Sequence, residues 1–205
     1  MKKQIAQVKA FNDVFGVEYR TRPGGIPILA QKQRIVLLDE EIKELHDAID
    51  AHDIIEIADA VVDIAYVLCG GVLEFGLTKP FIAHNPKHGK PNYDSQYGYG
   101  MQLAALMKLE INRFHEITER GEFRGIIQIL TDLKDWIYLC LDLYELTPIF
   151  EKLFDEVHRT NMAKLHDGKV VKDPVTAKIQ KPEGWQAPDL ESIINKHFNN
   201  QNKSK

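Results

Sequence analysis

The chain has 205 residues, 44% of them hydrophobic and 27% charged, a composition that suits one sizeable globular domain with a real core. Acids outnumber lysine and arginine by 30 to 26, a formal charge of −4, which argues against a partner made of nucleic acid, because such a binder shows a basic surplus. The opening MKKQIAQVKAFNDVFG lacks the long apolar stretch of a signal peptide and no run approaches membrane-spanning length, so the expectation is a cytoplasmic protein with no membrane partner.

In chain order, Ile5, Val8, Phe11 and Phe15 recur at helical spacing over residues 3–16. Pro23-Gly24-Gly25 and Pro27 mark a loop. From about Leu29 to Ala51 the apolar positions Ile35, Leu38, Ile42, Leu45 and Ile49 step by three and four, a strong helix signal. His52-Asp53 ends it, and Asp53 is placed to cap the next helix. Residues 54–69 carry two adjacent apolar stripes, so this helix is expected at the centre of a bundle, with Gly70-Gly71 interrupting it. Cys69, here, and Cys140, further on, read as small core residues, too few for a disulfide framework or a zinc pattern.

Leu77–Gly100 has three prolines, three glycines, Tyr93, Tyr97 and Tyr99 and little periodicity, and reads as a long structureless segment, a lid or a linker. Helical spacing resumes over 101–119, 124–144 and 147–164. Residues 166–190 read as an ordered loop rich in lysine, glycine and proline. Residues 191–205 read as a C-terminal tail whose last part, 198–205, frays. The fold class is therefore all-α, a bundle of two helical hairpins with an N-terminal helix and a loop-rich C-terminal segment.

The charged residues are unevenly spread. Acids concentrate at 39–63 and lysines at 164–205. On the first hairpin, Glu41 with Glu44, and Glu56 with Asp59, are i,i+3 pairs that share a helix face. If the two helices pack antiparallel, these four carboxylates converge, and like charges at such range cost about 4 kcal/mol per pair near a protein surface. Oxygen-only clusters of this kind call for hard divalent cations. For Glu40, Glu41 and Glu44 alone, a solvated helix face explains the spacing as well. Glu56, Asp59 and Asp63, inside a largely apolar helix, are harder to explain that way.

The hairpin has an echo. Glu41, Glu44, Glu56, Asp59, Asp63 and Tyr66 correspond to Glu110, Arg113, Gln128, Thr131, Asp135 and Tyr138, with a turn three residues longer. The apolar pattern survives while most of the acids do not. We read a duplicated hairpin whose second copy lost its ligands; the alternative is that two amphipathic hairpins align by their periodicity alone.

Glu-x-x-Glu followed by Glu-x-x-Asp on successive helices resembles the all-α nucleoside triphosphate pyrophosphohydrolases, the MazG-like and phosphoribosyl-ATP pyrophosphohydrolase-like proteins. Phe11-Asn-Asp-Val-Phe-Gly16, Asp63-Ile-Ala-Tyr66 with Gly70-Gly71, and the late Asn161-Met-Ala-Lys164 followed by Asp167-Gly-Lys-Val-Val-Lys172 and Pro188-Asp-Leu190 carry the same resemblance. It spans roughly residues 5–72 and 146–190.

The resemblance implies hydrolysis of a nucleoside triphosphate or related nucleotide between the α and β phosphorus, giving a monophosphate and pyrophosphate, with Mg²⁺ (or Mn²⁺) and two or more ions. Glu41, Glu44, Glu56 and Asp59 are the implied metal ligands. Glu40 is the candidate for an outer or proton-accepting role beside Glu41 and Glu44, and Asp63 for orienting the nucleotide. Lys164, Lys169, Lys172 and Asn161 are the candidate phosphate-binding residues, and Phe11 and Asn12 the candidate base-binding ones. A homodimer is the family's usual state, with a monomer open if the second hairpin replaces a partner subunit. Two other classes compete. A carboxylate-bridged di-iron or di-manganese bundle needs paired Glu-x-x-His motifs, whereas this chain offers only the Asp-x-x-His of Asp155 and His158. A non-catalytic helical interaction module would not need the acids.

Overall fold

A computed structural model describes residues 1–89, 95–172 and 179–203. Among them the elements are α1 (Lys2–Phe15), α2 (Ile28–Asp50), α3 (Ile54–Glu74), α4 (Thr78–Ala83), α5 (Gln96–Glu119), α6 (Ile126–Leu143), a 3-10 turn (Thr147–Ile149) leading into α7 (Phe150–Met162), and α8 (Leu190–Lys203). No strand occurs among the described residues; two isolated bridges, His166 with Lys169 and Lys172 with Ile179, pin the segment after α7. Among these residues no helix is long and apolar enough to cross a membrane.

The frame is two hairpins packed on each other. Helix α2 lies against α3, α5 against α6, and the hairpins meet through α2 on α5 and α3 on α6. Their turns, 51–53 and 120–125, differ by the three residues expected from the echo. Both apolar stripes of α3 are used: Ile57, Val61, Ile64 and Leu68 and, beside them, Ala58, Val62 and Ala65 are all fully buried, because α1, α6, α7 and α8 as well as α2 contact this helix. Each fully buried aliphatic side chain contributes roughly 1.5–3 kcal/mol. Asp53 caps α3 as its position suggested, its Oδ1 accepting from the Ile55 and Glu56 amides at 2.9 and 3.2 Å. Both cysteines are free and buried, and burial pushes each thiol up to about 12.

The structure departs from the sequence reading in four places. Gly70-Gly71 does not interrupt α3. A Cβ on Gly70 would stand 2.7 Å from Arg34 Nη1, and that guanidinium donates to Val67 O at 3.0 Å and to the Glu74 carboxylate at 2.6 and 3.2 Å. The glycines are the groove for an ion pair between α2 and α3, and α3 continues one turn further.

The segment 77–100 is not structureless over its described part. Helix α4 sinks Phe81 fully, and α6 holds residues 84–87 beyond it. Lys134 Nζ donates to the carbonyls of Phe81 and His84 at 3.0 and 2.6 Å. Asp135 accepts from the Lys87 amide at 3.1 Å and contacts His84 Nε2 at 2.7 Å. A six-residue helix is too short to show a period, and its anchors lie about fifty residues away in sequence. Helix α5 begins five residues earlier than the periodicity suggested, with Ser95 as its cap. Tyr97 therefore belongs to a helix, its ring centroid 3.9 Å from that of His52; Tyr93 falls outside the described residues.

The expected tail from residue 191 is largely helix α8, which buries Leu190 and Ile194. Asp189, read only as part of a Pro-Asp-Leu motif, accepts from the Ser192 amide at 3.2 Å, while its own amide donates to Glu156 Oε1 at 3.0 Å.

Candidate active site

The acids of the first hairpin meet across the α2–α3 seam, as antiparallel packing of their helices requires. Glu41, partly buried, faces Asp63 and Asp59 as well as its own neighbours Glu44 and Glu40. Burial first, and these like charges second, push its carboxyl up to about 8. Asp59 is raised to about 6 by burial and by Glu56 and Glu44. Asp63 is raised to about 7, again by burial first and by Asp59 next. Glu40, Glu44 and Glu56 lie at the exposed rim. Asp59 Oδ1 is buried without a hydrogen-bond partner among the described residues. No group of three or more His, Cys, Asp or Glu side chains among the described residues is arranged to hold a metal ion as it stands.

The cations that oppose this cluster come from the far end of the chain. Lys164 and Lys181 both act on Asp59 and Asp63. Lys164 is half-buried, and burial lowers the pKa of its ammonium while Asp63, Glu41 and Asp59 raise it. Its Nζ donates to Asn161 Oδ1 at 2.5 Å, so two of the expected phosphate-binding residues already touch. Lys169 and Lys172 are exposed on the bridged segment between Lys164 and Lys181. Lys181 stands outside the Asn-Met-x-Lys stretch, in a lysine- and proline-rich run that the sequence alone reads as plain loop.

On the α1 side, Phe11 stacks on Phe15 with centroids 4.1 Å apart and meets Tyr66 edge-on at 5.8 Å. Tyr66 lies one turn beyond Asp63, and its hydroxyl is 3.1 Å from His158 Nδ1. Asn12 is only 3% exposed, yet its Nδ2 has no partner among the described residues. A buried amide donor left unpaired costs about 1–3 kcal/mol, so Asn12 is under-used as the fold stands. Asp155, the other half of the Asp-x-x-His pair, accepts from Lys3 and Gln7 at 2.8 and 2.9 Å; this pair ties α1 and α3 to α7.

The echo on the second hairpin is neutralised instead of acidic. Arg113 pairs with Glu110 at 3.4 Å and Asp132 at 3.6 Å. Gln128 donates to Asp132 at 2.8 Å, Thr131 turns its hydroxyl onto the backbone of its own helix, and Asp135 holds the 84–87 segment. Each changed position is filled by local bonding.

Among known proteins, residues 8–85 match a protein family, the span from the middle of α1 through α2, α3 and α4 that contains every acid of the cluster together with Phe11 and Asn12. The family is phosphoribosyl-ATP pyrophosphohydrolase. It is one of the MazG-like all-α NTP pyrophosphohydrolases. The match covers 78 of the chain's 205 residues. Asn161, Lys164 and Lys181 lie outside the matched span. The chain is also similar to an uncharacterised protein of Acanthamoeba polyphaga mimivirus, 28% identical over 146 residues, 65% of this chain and 58% of that protein. The chain thus spans little more than half the length of that curated relative. No solved structure matches.

Proposed function

We propose that the protein is a Mg²⁺-dependent pyrophosphohydrolase that cleaves a ribo- or deoxynucleoside triphosphate, or a related nucleotide, between the α and β phosphorus. The observation that carries this reading is the facing of two charge sets: desolvated Glu41, Asp59 and Asp63 on one hairpin, and Lys164 with Lys181 against them. A divalent ion fits the donor set, since every acid offers hard oxygen and Asp59 Oδ1 is a buried acceptor without a donor among the described residues. Glu41, Glu44, Glu56 and Asp59 would hold the ion or ions. When bound, Mg²⁺ neutralises phosphate oxygens and lowers the pKa of an attacking water.

The chain's own residues account for the rest. The raised carboxyls of Glu41 and Asp63 hold protons near neutral pH, and that of Asp59 about a unit below it; cation binding displaces these protons, so affinity rises with pH. Glu40, beside Glu41, accepts a proton from the attacking water, and Asp63 orients the nucleotide from one turn further along α3. Lys164 and Asn161 neutralise and position the phosphates; phosphoryl transfer needs positioning and charge balance more than covalent help. Phe11, against Tyr66, offers an aromatic ring for the base, and Asn12 Nδ2 a donor unused among the described residues.

The test is a panel of ribo- and deoxynucleoside triphosphates and phosphoribosyl-ATP with Mg²⁺ or Mn²⁺, scored for monophosphate and pyrophosphate. Release of orthophosphate would contradict α–β cleavage. Metal analysis separates the di-iron reading, which requires tightly held iron with a visible absorbance.

A further inference from the structure

The segment from Ile179 to Trp185 is built to a definite shape. Gln180 is tied back by its amide to Val171 O at 2.9 Å. Residues 182–185 then make a tight turn, closed by the Trp185 amide donating to Pro182 O at 3.1 Å, with Gly184 at φ 76 where a side chain would be strained. This turn aims the Trp185 indole at α7, where Nε1 donates to Thr160 O at 2.8 Å near the helix end. The ring gathers two ammonium groups: Lys181 Nζ is 4.1 Å and Lys164 Nζ 5.7 Å from its centroid.

Two cations held on one aromatic ring repel each other, and ordering them has a cost in side-chain entropy. The acids opposite offset part of that repulsion, but they are the same acids that the proposed function engages with metal. A polyanion bridging the metal and the lysines is the ligand class that satisfies both sets at once. We propose that Lys181 is a phosphate-binding residue of this site, and that Trp185 is the positioning residue that seats it beside Lys164, the pair receiving the pyrophosphate end of the substrate. This rests on the pyrophosphohydrolase reading for its substrate but makes its own claim about an anion site. Lysine suits the task, being a mobile point charge that can release pyrophosphate as product.

Trp136 and Trp185 are the two tryptophans of the chain, and Trp136 lies on α6, against Lys87. In a Trp136→Phe background, inorganic pyrophosphate with Mg²⁺ is expected to change the Trp185 emission saturably, whereas a nucleoside without phosphate is not. Lys181→Ala should weaken this response and raise KM about tenfold with kcat changed far less, and Lys181→Arg should restore most of both. Trp185→Ala should raise KM as Lys181→Ala does, and Trp185→Phe should keep part of the effect. Unchanged KM and an unchanged pyrophosphate response in Lys181→Ala would overturn the proposal while leaving the activity intact. A wild-type chain that hydrolyses no nucleotide but shows the Lys181-dependent response would overturn the activity and leave the anion site standing.

Discussion

The Arg113 guanidinium lies 3.4 Å from the Glu110 carboxylate on α5, at the two positions that correspond to Glu44 and Glu41 on α2. One hairpin carries an attractive pair where the other carries two carboxyls that repel when both are ionised. The same scaffold thus tolerates both arrangements, and the acidic one is the arrangement that the fold does not need.

Removing one charge from each pair should therefore change stability with opposite sign. With a chelator present, Glu41→Gln should raise the melting temperature by several degrees, since it removes a desolvated, repelled carboxyl; each kcal/mol is roughly 2–4 °C for a chain of this size. Arg113→Ala should lower it, by about 1 kcal/mol, because it leaves Glu110 and Asp132 facing each other without a cation, and should leave turnover unchanged. Differential scanning calorimetry checks both. A metal-free Glu41→Gln protein less stable than wild type would remove the electrostatic argument.

The pH dependence of the metal-free protein has a definite sign. Glu41 goes from an ordinary 4.5 to about 8 on folding, Asp63 from 3.8 to about 7 and Asp59 from 3.8 to about 6. The folded state therefore binds more protons than the unfolded one between these values. Their contribution is fully present below about pH 4 and is lost as pH rises towards 8. Denaturant titrations at pH 5 and 8 should show the wild type losing more stability over this interval than Glu41→Gln does. Saturating Mg²⁺ should reduce the difference, because a cation bound only to the folded state adds stability by mass action. Equal slopes in the two proteins would contradict the assignment.

Glu41→Gln and Asp59→Asn should each lower kcat/KM roughly a hundredfold or more if they hold the metal that neutralises the phosphates. Their far-ultraviolet circular dichroism should stay that of the wild type. Full activity in both would move the site elsewhere.

Gly70 and Arg34 should be coupled. Gly70→Ala forces the Arg34 guanidinium away from Val67 O and Glu74, and Arg34→Ala leaves Glu74, whose side chain is only 14% exposed, without its cation. Arg34→Ala should cost about 3 kcal/mol. In that background Gly70→Ala should cost little or become favourable, since alanine is the better helix former. Additive effects in the double-mutant cycle would show that the groove is not what requires the glycine.

The sequence carried the helices whose apolar side chains recur over three or more turns, and it carried the Asp53 cap, because both signals are local. It carried the acid pairs for the same reason: i,i+3 spacing is geometry within one helix. It hid whatever depends on distant partners. Phe81 and His84 are fixed by Lys134 and Asp135, and Gly70-Gly71 reads as a break until Arg34, on the preceding helix, fills the space. Lys181 was hidden most thoroughly, since only the turn at 182–185 and the ring it positions bring it to the acids.

The two hairpins close on each other within a single chain, joined by the stretch from Phe75 to Ser95. Tethering of this length keeps the second hairpin at an effective concentration in the millimolar range, so their association does not depend on how much protein is present. It also lifts a constraint of symmetry. In a pair of identical hairpins every substitution appears twice and must suit both settings at once. Here a change on α5 is made once, which leaves one half free to specialise in holding the other.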